Sequence, residues 1–150
     1  MNITNARIID AVRAELATDP RIPYTDEIAV DAYGDEVTLR GTVGSFAQQQ
    51  AAVADARRTR GVAAVLDELQ VRILDRDRRQ DAEIRGAALQ RLTWDSQIAG
   101  DYLEVSVKDG WVTLKGEVGF QFESDIAFDG VASLHGVTGV TNRIKVVEQL

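Results

Sequence analysis

Two stretches decide how the chain is read: Val112-Thr-Leu-Lys-Gly-Glu-Val-Gly119, VTLKGEVG, and Val37-Thr-Leu-Arg-Gly-Thr-Val-Gly44, VTLRGTVG. They are nearly one string, separated by 75 residues. The same shift places Asp26 on Asp101, Val30 on Val105, Gly61-Val62 on Gly136-Val137, Val65 on Val140 and Val71 on Val146. Ile9 falls on Ile84 near the start. A match at one fixed period is the mark of a tandem duplication, here of a unit of roughly 65–70 residues.

Each copy has the same order of patterns. Ile8, Ile9, Val12 and Leu16 recur at helical spacing, as do Ile84, Ala88 and Leu92, so each unit opens with an amphipathic helix. Asp19-Pro20 closes the first of these, because proline cannot continue a helix. Ile28, Val30 and Ala32, and likewise Leu103, Val105 and Val107, alternate with polar residues, the period of a strand with one wet face. Tyr33-Gly-Asp-Glu36 and Lys108-Asp-Gly-Trp111 supply hairpin turns, and the quoted strings continue the apolar face on a second strand. A second helix is predicted over Ala47–Arg60 and Gln121–Leu134. Gly61 and Gly136 follow it where a helix C′ glycine is expected. A third strand closes each unit.

The predicted fold is α+β: two αββαβ units, at residues 3–74 and 78–148, each a three-stranded mixed sheet with both helices on one face. The hairpin makes the first two strands antiparallel, and the helical crossover returns the third parallel to the second. A unit of ~60 residues buries only ~60 % of its unfolded surface, so the two are expected to pack on each other. The joint from Leu74 to Arg85 has no Gly, Pro or Ser. Asp75/Arg79 and Asp81/Arg85 are spaced for helical ion pairs, which predicts a stiff lead-in.

Apolar residues make up 45 % of the 150 and charged residues 27 %, as in a soluble globular protein. The net charge is −7, and both halves are mildly acidic. Nucleic acid is excluded as a partner, since non-specific binding to it needs a basic surface. The absence of cysteine removes disulfides, thiolate catalysis and zinc–thiolate sites. Asp10 and Glu15 interrupt the apolar residues of the N-terminal stretch, which has no basic leader before them. No run approaches ~18 apolar residues, and the expected compartment is the cytoplasm, with peripheral membrane association open.

The pattern helix, V-x-V, turn, G-x-V-x-L-x-G-x-V, helix, G-V-x-x-V, apolar strand resembles the BON domain (bacterial OsmY and nodulation domain). VSVKDGWVTLKGEV with HGVTGVTNRIKV carries the second copy, and VDAYGDEVTLRGTV with RGVAAVLDELQV the first. The first lacks a glycine directly before its second strand. The resemblance implies a non-enzymatic module that binds phospholipid membranes or a protein partner in osmotic or envelope stress.

Side-chain chemistry adds little to this. His135 is the only histidine, so neither a triad nor a zinc site assembles from the usual parts. In Asp75–Asp81, Arg79 and Gln80 occupy places where a calcium loop needs a ligand and a glycine. Gly41-Thr-Val-Gly44 and Gly116-Glu-Val-Gly119 match loops that clamp nucleic-acid backbone, but they sit at a strand's end without basic flanks. Gly41, Gly61, Gly116 and Gly136 are therefore read as structural. No catalytic residue, cofactor or metal is expected.

The open sheet face of the second unit is the candidate lipid or partner surface. Lys108, Lys115, Arg143 and Lys145 outnumber Glu104 and Glu117 there, and Trp111 adds an amphipathic anchor. In the first unit, Asp31, Tyr33, Glu36, Arg40, Glu68 and Arg72 show no such bias. Phe122 and Ile126 fit a core stripe on the last helix, whereas Phe120 and Phe128 exceed what one face holds. Trp94 is equally ambiguous. The partner is anionic phospholipid or a protein; the alternative is a cytoplasmic small-ligand or potassium sensor built on the carbonyl-rich glycine turns.

Overall fold

A computed structural model describes residues 3–23, 25–95 and 103–147; Asp101, aligned above with Asp26, lies outside them. The chain divides into two compact units, residues 1–72 and 73–150. The first has helix α1 (Ile3–Thr18), strands β1 (Ile28–Tyr33) and β2 (Glu36–Val43), helix α2 (Phe46–Arg58) and strand β3 (Ala64–Val71). The second repeats the order with α3 (Asp81–Trp94), β4 (Leu103–Lys108), β5 (Trp111–Val118), α4 (Gln121–Ala132) and β6 (Gly139–Val146). The fold is α+β, and each sheet is mixed: β1 and β4 pair antiparallel to β2 and β5, which pair parallel to β3 and β6.

Strand register is conserved between the copies. Ile28 lies opposite Gly41 as Leu103 lies opposite Gly116. In the first unit Ile8, Val12 and Leu16 of α1, Ala52 and Ala56 of α2, and Val30, Val37 and Leu39 are all buried in one cluster. The second buries Ile84, Ala88 and Leu92 with Val105, Val112, Leu114, Ala127 and Val131. Both helices thus cover one face, each buried valine, leucine or isoleucine stabilising by roughly 1.5–3 kcal/mol. Alanines on α2 let its backbone lie close to the sheet.

The opening helices obey a different offset. Ile84, Ala88 and Leu92 match Ile8, Val12 and Leu16 in burial, a shift of 76, and Ile9 is only half-buried. One residue fewer therefore separates helix from first strand in the second copy, which corrects the pairing of Ile9 with Ile84. The same offset relates Asn5 to Asp81. Asn5 Oδ1 accepts the Gly34 N–H at 3.0 Å, and Asp81 accepts the N–H groups of Asp109 and Gly110, both at 3.0 Å. In each unit the first turn of the first helix thus holds the hairpin turn. Asp109 and Gly110 both have positive φ, at 52° and 80°, as a type I′ hairpin requires.

Two local expectations are corrected. Gly61 and Gly136 are not C′ residues, since α2 stops at Arg58 and α4 at Ala132. Each is the third residue of a β-turn, closed by Val62 N–H to Thr59 O (3.2 Å) or Val137 N–H to Leu134 O (3.5 Å). Their φ values of 93° and 86° suit the position that favours glycine in type II turns. The segment before α3 is a 3₁₀ turn, Asp75–Asp77, then extended backbone at Arg78 and Gln80. Asp75 pairs with Arg78 and Arg79 with Glu83. Asp81 is engaged by the hairpin, and Arg85 Nε donates to Val105 O at 3.0 Å, so the expected helical pairs give way to other partners. Among the described residues no helix is long and apolar enough to cross a membrane.

Candidate functional site

The three strands of the second sheet place the candidate surface residues in rows. Lys108 lies opposite Trp111, and Trp111 opposite Gly139. Next come Ser106, Thr113 and Thr141, then Glu104, Lys115 and Arg143. Glu117 lies opposite Lys145. At ~3.3 Å per residue, Trp111 and Lys115 are about 13 Å apart along the strand. The structure therefore brings together Lys115, Arg143 and Lys145 at one end, and Lys108 with Trp111 at the hairpin end.

Trp111 is half exposed but fixed. Its ring covers Gly139, where a Cβ would meet ring carbons at 2.3 Å. Its Nε1 donates to Thr141 Oγ1 at 2.8 Å. The indole lies flat along β6 and lines a shallow depression with Ser106, Lys108 and Thr113.

The charges differ between copies at one telling pair. In the first sheet Arg40 lies opposite Glu68, and Arg40 Nε donates to Glu68 Oε2 at 2.5 Å. The Glu68 carboxylate raises the Arg40 pKa. The matching pair in the second sheet is Lys115 opposite Arg143. Two cations directly across strands repel. Among the described residues no ion pair engages Lys108, Lys115, Arg143 or Lys145.

The structural glycines have identifiable duties. A Cβ on Gly41 would lie 2.0 Å from the Glu27 carbonyl oxygen, at φ 126°. Gly116, its counterpart, has φ 142°. Gly41 is thus a close-approach position beside the first strand. His135 is exposed in the turn after α4. Among the described residues no cluster of three metal-ligating side chains occurs.

Phe122 departs from the expected core stripe. It is 49 % exposed and Phe120 58 %, and their rings stack at 5.5 Å. Ile126 and Phe128 are half-buried. The stripe runs instead through Ser124, Ala127 and Val131, and Ser124 Oγ accepts from Asn142 Nδ2. Trp94 is exposed at the end of α3.

One cluster escaped sequence reading. Asp55 of α2 is wholly buried. Its Oδ1 accepts from Arg58 Nη2 at 2.5 Å and lies 3.5 Å from Arg21 Nη2. Asp19, just past α1, takes Arg21 on both oxygens and the Arg21 backbone N–H. Glu15 of α1 lies 3.5 Å from Arg58. Burial, followed by the Asp19 carboxylate, pushes the Asp55 carboxyl up to about 6. The Arg21 side chain holds Asp19 well below the usual carboxylate range. Asp55 Oδ2 is buried with no hydrogen-bond partner, so a proton taken up there at mildly acid pH relieves the carboxylate beside Asp19. With Asp55 closed to solvent, no substrate reaches it; the pair ties α1 to α2. The clue in the sequence was position alone, since Asp55 shares the stripe of Ala52, Ala56 and Thr59.

Comparison with known proteins agrees with this architecture. The BON domain family matches residues 4–73 and again 80–148, the second match one residue shorter, as the helix offset requires. Osmotically-inducible protein Y of Escherichia coli (strain K12) is 32 % identical over 150 aligned positions, covering 94 % of this chain and 72 % of that protein. Among solved structures, the C-terminal domain of CdsD, a structural protein of the type III secretion system of Chlamydia trachomatis, aligns at 12 % identity and TM-score 0.40. That alignment covers 95 % of this chain and 67 % of that one. A second CdsD structure aligns at 12 % identity and TM-score 0.41, covering 96 % and 64 %. Those two likenesses are too distant to carry functional weight. The family matches and the close relative lead to one conclusion: the chain belongs to the BON family and carries two BON domains in tandem.

Proposed function

We propose that this tandem BON protein is a non-catalytic binding module that associates with anionic phospholipid surfaces through the outer face of its second sheet. The observation that carries the proposal is the exchange of the Arg40–Glu68 pair for Lys115 beside Arg143. Folding gains nothing from two adjacent cations, whereas a headgroup phosphate set between them would neutralise both. Basic residues near an anionic surface are worth about 1 kcal/mol each, so four give weak, salt-sensitive attachment. The net charge of −7 works against attachment of the chain as a whole, so binding depends on this local cationic face. Membership of the BON family, and likeness to a protein named for osmotic induction, support a role in osmotic or envelope stress.

Co-sedimentation with phosphatidylglycerol-containing and pure phosphatidylcholine vesicles tests this. Binding to the anionic vesicles alone, lost when Lys115 and Lys145 are changed to Glu, is the expected result. Equal binding to both vesicle types, or none to either, would sink it.

A further inference from the structure

Resting on that membrane reading, we infer that the stacked pair Phe120–Phe122, at the start of α4, is an apolar tip that enters the lipid interface. The two units differ sharply here. In the first, Ser45 caps α2 by accepting the Gln48 N–H at 3.1 Å, Phe46 is buried in the core, and Ala47 follows. In the second, Phe120 holds the cap position without a side-chain bond, Gln121 replaces the core phenylalanine, and Phe122 faces out. The second copy has given up a cap and an inward ring and gained two rings in solvent. Serine at that position stabilises a helix and phenylalanine does not. The stacked rings recover part of that loss, yet about half of each stays in water, which a core phenylalanine such as Phe46 avoids.

The surroundings favour lipid as the occupant. Val146 and Val147 are 40 % and 45 % exposed, and the Val147 N–H bonds to Val118 O, two residues before Phe120. Four large apolar side chains therefore surface at one end of the unit. Lys145 immediately precedes Val146, with Glu117 across from it and Arg143 and Lys115 next along the same strands, three cations to one carboxylate. Cations beside an apolar tip match the order of a membrane, phosphate outside and acyl chain within. In the first unit the corresponding places hold Ser45, Ala47, Val71 and Arg72, only one of them apolar and large, which predicts no such tip there.

The chain has no cysteine, so single sites can be labelled without further change. A solvatochromic dye on F122C, and on A47C as the matched control, is read during titration with equimolar phosphatidylglycerol–phosphatidylcholine vesicles. A blue shift at position 122, with quenching by nitroxide lipid and no change at 47, is the expected outcome. Replacing both rings (F120S/F122S) is expected to weaken vesicle binding by about tenfold or more while the protein stays folded. If the chain sediments with vesicles but the label at 122 stays wet, the tip is refuted and the sheet face stands. If the unlabelled chain fails to sediment, the membrane reading itself falls.

Discussion

The indole of Trp111 lies on Gly139, its cross-strand partner, so closely that no side chain fits beneath it. Gly139→Ala is therefore expected to lift the ring, break its bond to Thr141 and destabilise the protein by about 1–3 kcal/mol. Thermal unfolding and tryptophan emission report both effects. An unchanged melting temperature would show that the ring is not seated there.

Arg143→Glu recreates in the second sheet the pair that Arg40 and Glu68 form in the first. Stability is expected to rise by roughly 0.2–1 kcal/mol, the ordinary range for exposed pairs, while anionic-vesicle binding falls. A variant that is more stable yet binds less separates function from folding. Loss of both would mean that Arg143 serves the fold.

The Asp19–Asp55 pair gives a pH dependence of defined sign. The Asp55 carboxyl titrates near 6 in the fold, against 3.8 ordinarily. Between those values the folded state holds the extra proton, so stability is lost as pH rises through 4 to 6. Asp19 works oppositely: its depressed value gives stability present at neutral pH and lost as pH falls below about 4. The cluster thus favours the folded state most near pH 4–5. Asp55→Asn keeps the Arg58 acceptor and supplies a permanent N–H toward Asp19. It is expected to match wild type at pH 5 and exceed it at pH 8, by on the order of 1–3 kcal/mol. Melting curves at the two pH values decide the matter; a variant weaker at both would refute the proton uptake at Asp55.

Gly41→Ala should cost at least about 2 kcal/mol, because an alanine there meets the Glu27 carbonyl in a backbone region that L-residues avoid. Gly34→Ala faces open space and carries only the conformational penalty of φ 64°, about 1–2 kcal/mol. Denaturant midpoints should rank the two in that order.

Phe120→Ser restores the cap that Ser45 provides in α2. The expected gain is about 0.5–2 kcal/mol, read as a higher melting temperature. A loss would show that the ring is stabilising where it stands.

Period two in the strands, period 3.6 in the helices and the 75-residue repeat made the fold legible, because burial on one face imposes those patterns directly. The candidate face was legible for the same reason, since residues out of phase with the core must point away from it. Three features were not. The one-residue offset of the opening helix left the strand alignment intact, so nothing in VTLRGTVG or VTLKGEVG disclosed it. Phe122 and Ile126 share a helical stripe, but the buried face is the neighbouring one through Ser124, Ala127 and Val131, and spacing alone does not say which apolar stripe meets the sheet. Asp55 gave no signal because a carboxylate is rarely buried, and its partners, Asp19 and Arg21, lie more than 30 residues earlier in the chain.

The offset between α1 and α3 bears on how two copies of one fold avoid confusion while folding. Neighbouring duplicates risk exchanging elements, each strand or helix finding the wrong sheet. A helix of the second copy spliced onto the first copy's connection at the 75-residue period would arrive one residue out of phase, a rotation of ~100° about its axis. Ile84, Ala88 and Leu92 would then turn away from the sheet, and Asp81 would miss the hairpin that Asn5 holds. A single missing residue thus sets each opening helix in register with its own strands, and a hybrid joined at the strand period is expected to fold less stably.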